Sequence, residues 1–368
     1  MSETESALSA LKNVLDPVTG KHVLRMDMIR DLRVENGNIH LTVQIHDPMS
    51  SFAMTVEDAC REVLLPLVSS PSDIRISVDN DMIGLGDELT VDGDTQSDGF
   101  SGARNIIAVA SGKGGVGKST VSVNLAVALA RQGYSVGLVD TDIYGPSIPV
   151  MFGVENAKPK VAENRRIVPL ERYGVKLLSM GFLVDPEKAV VWRGPMVTSA
   201  IKQFLSDTEW GELDFLILDL PPGTGDIQLT IVQTVPLNGA VVVSTPQRVA
   251  LADARKGVAM FEQVHVPVLG LVENMAWFEP PDMPGRRYHI FGEGGARALA
   301  EELNVPLLGE LPIDEGVRRN CDDGTPAATF EGTTAATAFD ALAQRVTEET
   351  WRRNATRPAT QKVEILRR

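Results

Sequence analysis

Residues 111–120 read Ser-Gly-Lys-Gly-Gly-Val-Gly-Lys-Ser-Thr, a run whose residue types and spacing suit the grip of a polyphosphate. Gly112, Gly114, Gly115 and Gly117, with Val116 among them, allow backbone N–H groups to face phosphate oxygens. Lys118 can reach the β and γ oxygens, and the Ser119 hydroxyl, followed by Thr120, suits Mg2+. Lys118 and Ser119 meet those needs alone. Lys113, at the head of the loop, is surplus to one site, and the economical expectation is that it serves a second site across a dimer of such chains.

Carboxylates follow at the ends of apolar runs. Asp140 and Asp142 close the stretch Val139-Asp140-Thr141-Asp142. One can help hold Mg2+ through water and the other can orient an attacking water, although a strand-end aspartate can equally cap the turn that follows. Phe215 to Leu218 lead into Asp219, where Mg2+ coordination in a P-loop enzyme requires a carboxylate. The next segment, Leu220-Pro221-Pro222-Gly223-Thr224-Gly225-Asp226, is stiffened by prolines and opened by glycines, which suits a loop that changes position with nucleotide state. Asn274 closes another apolar run and offers a paired donor and acceptor to a base edge. The histidines, His22, His40, His46, His265 and His289, are dispersed and read as surface or satisfied core imidazoles.

These groups need a scaffold, and the hydrophobic pattern supplies one. Ile106–Ala110 is a short apolar run of buried-strand type, and residues 121–131 follow as an apolar, alanine-rich helix, so strand, loop and helix come in the required order. Further candidate strands are 136–139, 175–178, 215–218, 240–244 and 268–273, several of them continuous Val/Ile/Leu runs typical of strands covered on both faces. The fold expected is α/β: a doubly wound, mainly parallel sheet of P-loop NTPase type with its ligand at the strand C-terminal edge. Ahead of it, a helix at 6–15, strands at 24–34 and 40–45 around an Asn36-Gly37 turn, a helix at 56–65 and a strand at 74–78 describe a small α+β domain. Between Asp79 and Phe100 lie seven acidic residues and no basic one, which is linker composition. The division expected is therefore 1–80, an acidic linker at 81–104, the nucleotide domain at 105–350 with its last helix at 335–351, and a loose Arg-rich tail at 351–368.

Composition narrows the function classes. A net charge of -14 argues against a chain whose main work is gripping nucleic acid or an anionic membrane, so neither is expected as a partner. No stretch reaches the length of a membrane span, and the first residues lack the basic and apolar regions of a signal peptide, which makes the cytoplasm the expected compartment. The two cysteines, Cys60 and Cys321, are far apart and form no CxxC, so no disulfide framework is expected.

Taken together, the loop with two lysines, VDTDIYGPS at 139–147, WRGPM at 192–196, DLPPGTGD at 219–226, STPQ at 244–247, VENM at 272–275 and IFGEGG at 290–295 resemble the Mrp-type (ApbC group) iron-sulfur cluster carrier ATPases, in order and spacing, across residues 104–330. DPVTGKHVL at 16–24 and the α-β-β-α-β order resemble the MIP18-type domain that precedes the ATPase in many members. The resemblance implies slow ATP hydrolysis by a homodimer in which Lys113 reaches the partner's phosphates. It also implies transfer of an iron-sulfur cluster, of 4Fe-4S type, to apoproteins in the company of assembly factors. Carried over by position, residues 112–120 would bind phosphate, Ser119 and Asp219 would hold Mg2+, Asp142 would orient the attacking water, and Asn274 would read adenine.

One departure bears on the cargo. Where many members carry Cys-Pro-x-Cys after VENM, this chain has Pro280 and Met283, and neither supplies a thiolate. His46-Asp47-Pro48-Met49-Ser50 stands where the small domain usually has a cysteine. Cys60 reads as a core residue, and Cys321, in the polar stretch Arg-Asn-Cys-Asp-Asp, is the better candidate thiol. An adaptor that presents metalloprotein clients without holding a cluster is therefore an alternative. A spatial-organising ATPase like the MinD and ParA relatives is a third reading, which the acidic charge and the lack of a basic amphipathic face disfavour.

Overall fold

The computed structural model describes residues 2–16, 19–45, 53–80, 102–143, 145–182 and 194–357. The chain divides into two compact units, residues 1–96 with 348–359, and residues 97–347 with 360–368.

In the first unit, α1 (Glu3–Leu11) starts at Ser2, whose hydroxyl accepts from the Glu5 N–H while the Glu5 carboxylate accepts from the Ser2 N–H at 2.7 Å, a reciprocal capping box. β1 (Ile29–Glu35) and β2 (Asn38–Ile45) pair antiparallel through Asn36-Gly37, both at positive φ as a two-residue hairpin turn requires. Alternation along β2 buries Ile39, Leu41, Val43 and Ile45 on one face. α2 (Ala53–Leu64) crosses over to β3 (Ile74–Asn80), which lies parallel to β2. The expected α-β-β-α-β order is present, but the first strand starts at Ile29 rather than residue 24. Val23 and Leu24 are buried within a turn in which Asp27 takes positive φ, so their apolar character reflects packing rather than strand pairing.

The second unit is built on an eight-stranded sheet. In chain order its elements are β4 (Ala103–Ala110), α3 (Lys118–Arg131), β5 (Val136–Asp140), α4 (Ile148–Met151) and a short hairpin of β6 (Lys160–Val161) and β7 (Ile167–Val168) outside the main sheet. β8 (Leu170–Arg172), β9 (Val175–Ser179), α5 (Gly194–Ser206), β10 (Leu213–Asp219), α6 (Asp226–Thr234) and β11 (Gly239–Ser244) follow. The chain then forms α7 (Arg248–Gln263), β12 (Val268–Glu273), α8 (Gly295–Leu303), β13 (Leu307–Glu310), α9 (Glu315–Asp322) and α10 (Thr334–Thr356). Strand order is β13-β12-β11-β4-β10-β5-β9-β8, parallel except for the β8–β9 pair. This is the mainly parallel α/β sheet expected, preceded by the small α+β part.

Buried apolar layers lie on both faces. Ile106, Ala108 and Leu218 pack with Val197, Ile231 and Phe261 from α5, α6 and α7, whereas Ile107, Val109 and Ile217 pack with Val121, Leu125 and Leu342 from α3 and α10. Double coverage explains the continuous apolar strands. β4 lies centrally between β10 and β11, so the loops leaving the ends of β4 and its neighbours share one crevice.

Two further boundaries differ from expectation. β4 begins at Ala103, inside the stretch read as linker; residues 81–101 of that stretch lie outside the described residues. α10 continues through Thr356, so residues 351–356 are helical where a loose tail was expected. Trp351, Asn354 and Ala355 are buried there, and Arg352 pairs with Glu5 at 2.8 Å. Residues 358–368 lie outside the described residues.

Candidate functional site

The phosphate-binding loop joins β4 to α3. Gly117 caps α3 at φ 80, and a Cβ there would lie 2.2 Å from Asn274 Nδ2, so only glycine fits the turn and the close approach. Lys118 opens the helix and is buried, its Nζ 2.7 Å from Asp219 Oδ2 and 3.1 Å from Ser119 Oγ. Ser119 donates its hydroxyl to Asp219 Oδ2 at 2.6 Å, and Ser122 donates to Asp219 Oδ1, also at 2.6 Å. Asp219 closes β10 and is fully buried, so one ammonium and two hydroxyls satisfy its carboxylate. Ser122 was not singled out from the sequence. The available signal was its position, one turn after Ser119 on the same helix face.

Asp140 is the register partner of Asp219 on β5. Its Oδ1 accepts from the Asp142 N–H at 3.1 Å, and its Oδ2 from the Ser179 hydroxyl at 3.0 Å and the Ile148 N–H at 3.3 Å. Burial, and then the neighbouring Asp219 charge, hold Asp140 well above the usual carboxylate range. Asp142 is half-buried, and its Oδ1 accepts from the Gly145 N–H at 3.2 Å. Asp142 and Pro222 both line a cavity of about 510 Å³. The 221–226 loop is tied to the phosphate loop by the Gly223 N–H donating to the Ser111 carbonyl at 2.9 Å.

Asn274 follows β12, and its Nδ2 donates to the Val116 carbonyl at 2.8 Å, anchoring the phosphate loop. Lys113 is half-buried and, unlike Lys118, makes no ion pair among the described residues. The structure thus brings Lys118, Ser119, Asp140, Asp219 and Asn274 around one strand edge, with Asp142 beside them. Trp192 and Arg193, and residues 46–50, lie outside the described residues.

The cysteines lie apart from this edge. Cys60 is fully buried on α2, and burial pushes its thiol up to about 12. Cys321, the better candidate thiol from its polar stretch, is buried on α9 with Asn124 Nδ2 3.9 Å from its Sγ, and burial raises its thiol too. The polar residues beside it occupy the other helix face, which linear composition does not reveal. Among the described residues no group of three or more His, Cys, Asp or Glu side chains is placed to hold a metal ion.

A family model described as NUBPL iron-transfer P-loop NTPase matches residues 102–347, more than half of the chain. The chain belongs to that family. A second model, described as iron-sulfur cluster assembly protein, matches residues 4–78 and accounts for the small N-terminal part. An iron-sulfur cluster carrier protein of Synechocystis is 44% identical over 353 residues, covering 94% of this chain and 97% of its own length. A solved nucleotide-binding protein from Archaeoglobus fulgidus, in complex with ADP, is 45% identical with a TM-score of 0.54, covering 60% of this chain and 87% of that one. The cell division ATPase MinD from Pyrococcus furiosus is 26% identical with a TM-score of 0.51, covering 66% and 98%. Both the family expected from the ATPase motifs and the small-domain resemblance are borne out by these matches.

Proposed function

We propose that this chain is an ATP-hydrolysing iron-sulfur cluster carrier that works as a nucleotide-switched homodimer and hands clusters to apoproteins. The observation that carries the nucleotide half is the convergence of Lys118, Ser119 and Ser122 on the buried Asp219 carboxylate at the mouth of the phosphate loop. The family match and the name of the Synechocystis relative support the cargo half. In this reading residues 112–120 cradle the phosphates, Lys118 neutralises them, and Asp142 orients the attacking water. Asn274 fixes the loop through Val116 and offers its remaining amide oxygen to adenine.

The donor set fits Mg2+. Ser119 Oγ and Asp219 Oδ2, hard oxygens 2.6 Å apart, would hold the ion, with Asp140 behind them acting through water and nucleotide phosphate completing the shell. When bound, the ion supplies positive charge against the phosphates. Lys113, without an ion-pair partner of its own among the described residues, is the cation we assign to the neighbouring subunit's nucleotide.

Burial of both thiols favours one alternative, an adaptor that presents metalloprotein clients without itself holding the cluster. Anaerobic reconstitution separates the two. A stable iron-sulfur absorption band in the full chain, followed by activation of an added apoprotein, is expected of the carrier; no band would leave the adaptor. Persistence of the band in Cys321→Ser would remove Cys321 from the ligand set.

A further inference from the structure

Gln228 occupies the first turn of α6, directly after the 221–226 loop. It is 2% exposed, and neither its Nε2 nor its Oε1 finds a hydrogen-bond partner among the described residues. Burying an amide with both donor and acceptor unmet is unfavourable, and a leucine or methionine of similar size would fill the space without that penalty. Among the described residues, Thr208 and Trp277 each leave only one buried side-chain atom without a partner.

The location of Gln228 suggests why such an amide is kept. Gln228 is one of the residues that line a cavity of about 510 Å³, with Asp142, Pro221, Pro222 and Gly225, and its amide atoms lie closed off from solvent just behind that lining. Across the phosphate loop, a Cβ on Gly114 would lie 3.9 Å from Pro222 Cβ, so the cavity adjoins the edge where a terminal phosphate would sit. An amide presents a donor and an acceptor side by side, and a water molecule can satisfy both at once. The soft terminal torsion of glutamine and the positive φ of Gly223 give the group a route into the cavity as the loop moves.

We propose that Gln228 is a further catalytic residue that holds the attacking water opposite Asp142, its Nε2–H donated to the water oxygen and its Oε1 accepting one water proton. This rests on the reading of the site as an ATP hydrolase. In the step it serves, the water oxygen bonds to the γ-phosphorus and the bond from that phosphorus to the β–γ bridging oxygen breaks. The electron pair leaves on ADP, and the second water proton passes to Asp142, giving ADP and inorganic phosphate.

Steady-state ATP hydrolysis, ADP affinity and thermal midpoint measured on Q228L and the wild type test the assignment. The expected result is a kcat lowered roughly 10-fold or more, as for loss of a water-positioning group, with KM and ADP affinity within about 2-fold and the midpoint held or raised. Wild-type kcat in Q228L would overturn it, as would a loss of kcat accompanied by falls in ADP affinity and midpoint, the mark of a merely structural residue. Should Q228L fail to fold, Q228M is read by the same criteria. A wild-type chain that binds ADP yet does not hydrolyse ATP would overturn the hydrolase reading itself.

Discussion

Lys118 and Asp219 form the tightest charged contact of the nucleotide edge, both buried and 2.7 Å apart. Removing the ammonium leaves a buried carboxylate with only hydroxyl donors. Lys118→Met is therefore expected to lower stability by about 3 kcal/mol and to abolish nucleotide binding; denaturant unfolding and ADP titration check both. An unchanged unfolding midpoint would mean that Asp219 relaxes or takes up a proton. Lys118, Ser119 and Asp219 were legible in the sequence because their chemistry demands those residue types at that spacing. Ser122 and Gln228 were not, since a hydroxyl or an amide inside a helix is common and only tertiary packing shows what it faces. The burial of Cys321 was hidden for the complementary reason: its chain neighbours are polar, but its own side chain is buried.

At the level of elements, the strands best read from sequence are those buried on both faces, and β12 was placed to the residue. β8 and β13, three and four residues long, were missed because runs so short carry no detectable period. The junction of β4, loop and α3 depends on Gly117 more than on any side chain. Gly117→Ala would force an L-residue into left-handed backbone and press a methyl carbon against Asn274. ADP affinity is expected to fall at least about 10-fold while the far-ultraviolet circular dichroism spectrum is retained, because the strain falls on a loop outside the apolar layers. Wild-type affinity would show that the loop can rearrange at little cost.

For the molecule as a whole, His22 is one group that ties stability to pH. His22 in the first unit accepts the Arg25 N–H on its Nδ1 at 3.1 Å and stands edge-on to Trp351, ring centroids 4.6 Å apart. Burial, followed by the charges of Arg25 and Lys12, lowers its pKa from 6.5 to about 4. The unfolded imidazole takes up a proton below about pH 6.5 that the folded one refuses, so stability present above that pH declines as the pH falls toward 4 and then levels off. From about pH 7.5 to about pH 5 the denaturant midpoint should fall further in the wild type than in His22→Gln, a comparison that separates the imidazole from Asp140, whose raised pKa acts with the opposite sign. The same change with pH in both chains would remove the effect from His22.

The ion pair at the nucleotide edge also sets a rule for what may enter. An anion that draws Lys118 toward itself strips Asp219 of its only cationic partner among the described residues, and a solitary buried carboxylate is costly. In the proposed site, a divalent ion arriving with the anion would restore the lost charge at Ser119 and Asp219. On that reading cation and nucleotide would be heterotropic ligands, each raising the affinity for the other by the same factor, and a free sulfate or an uncomplexed nucleotide would be discriminated against by the protein's own electrostatics.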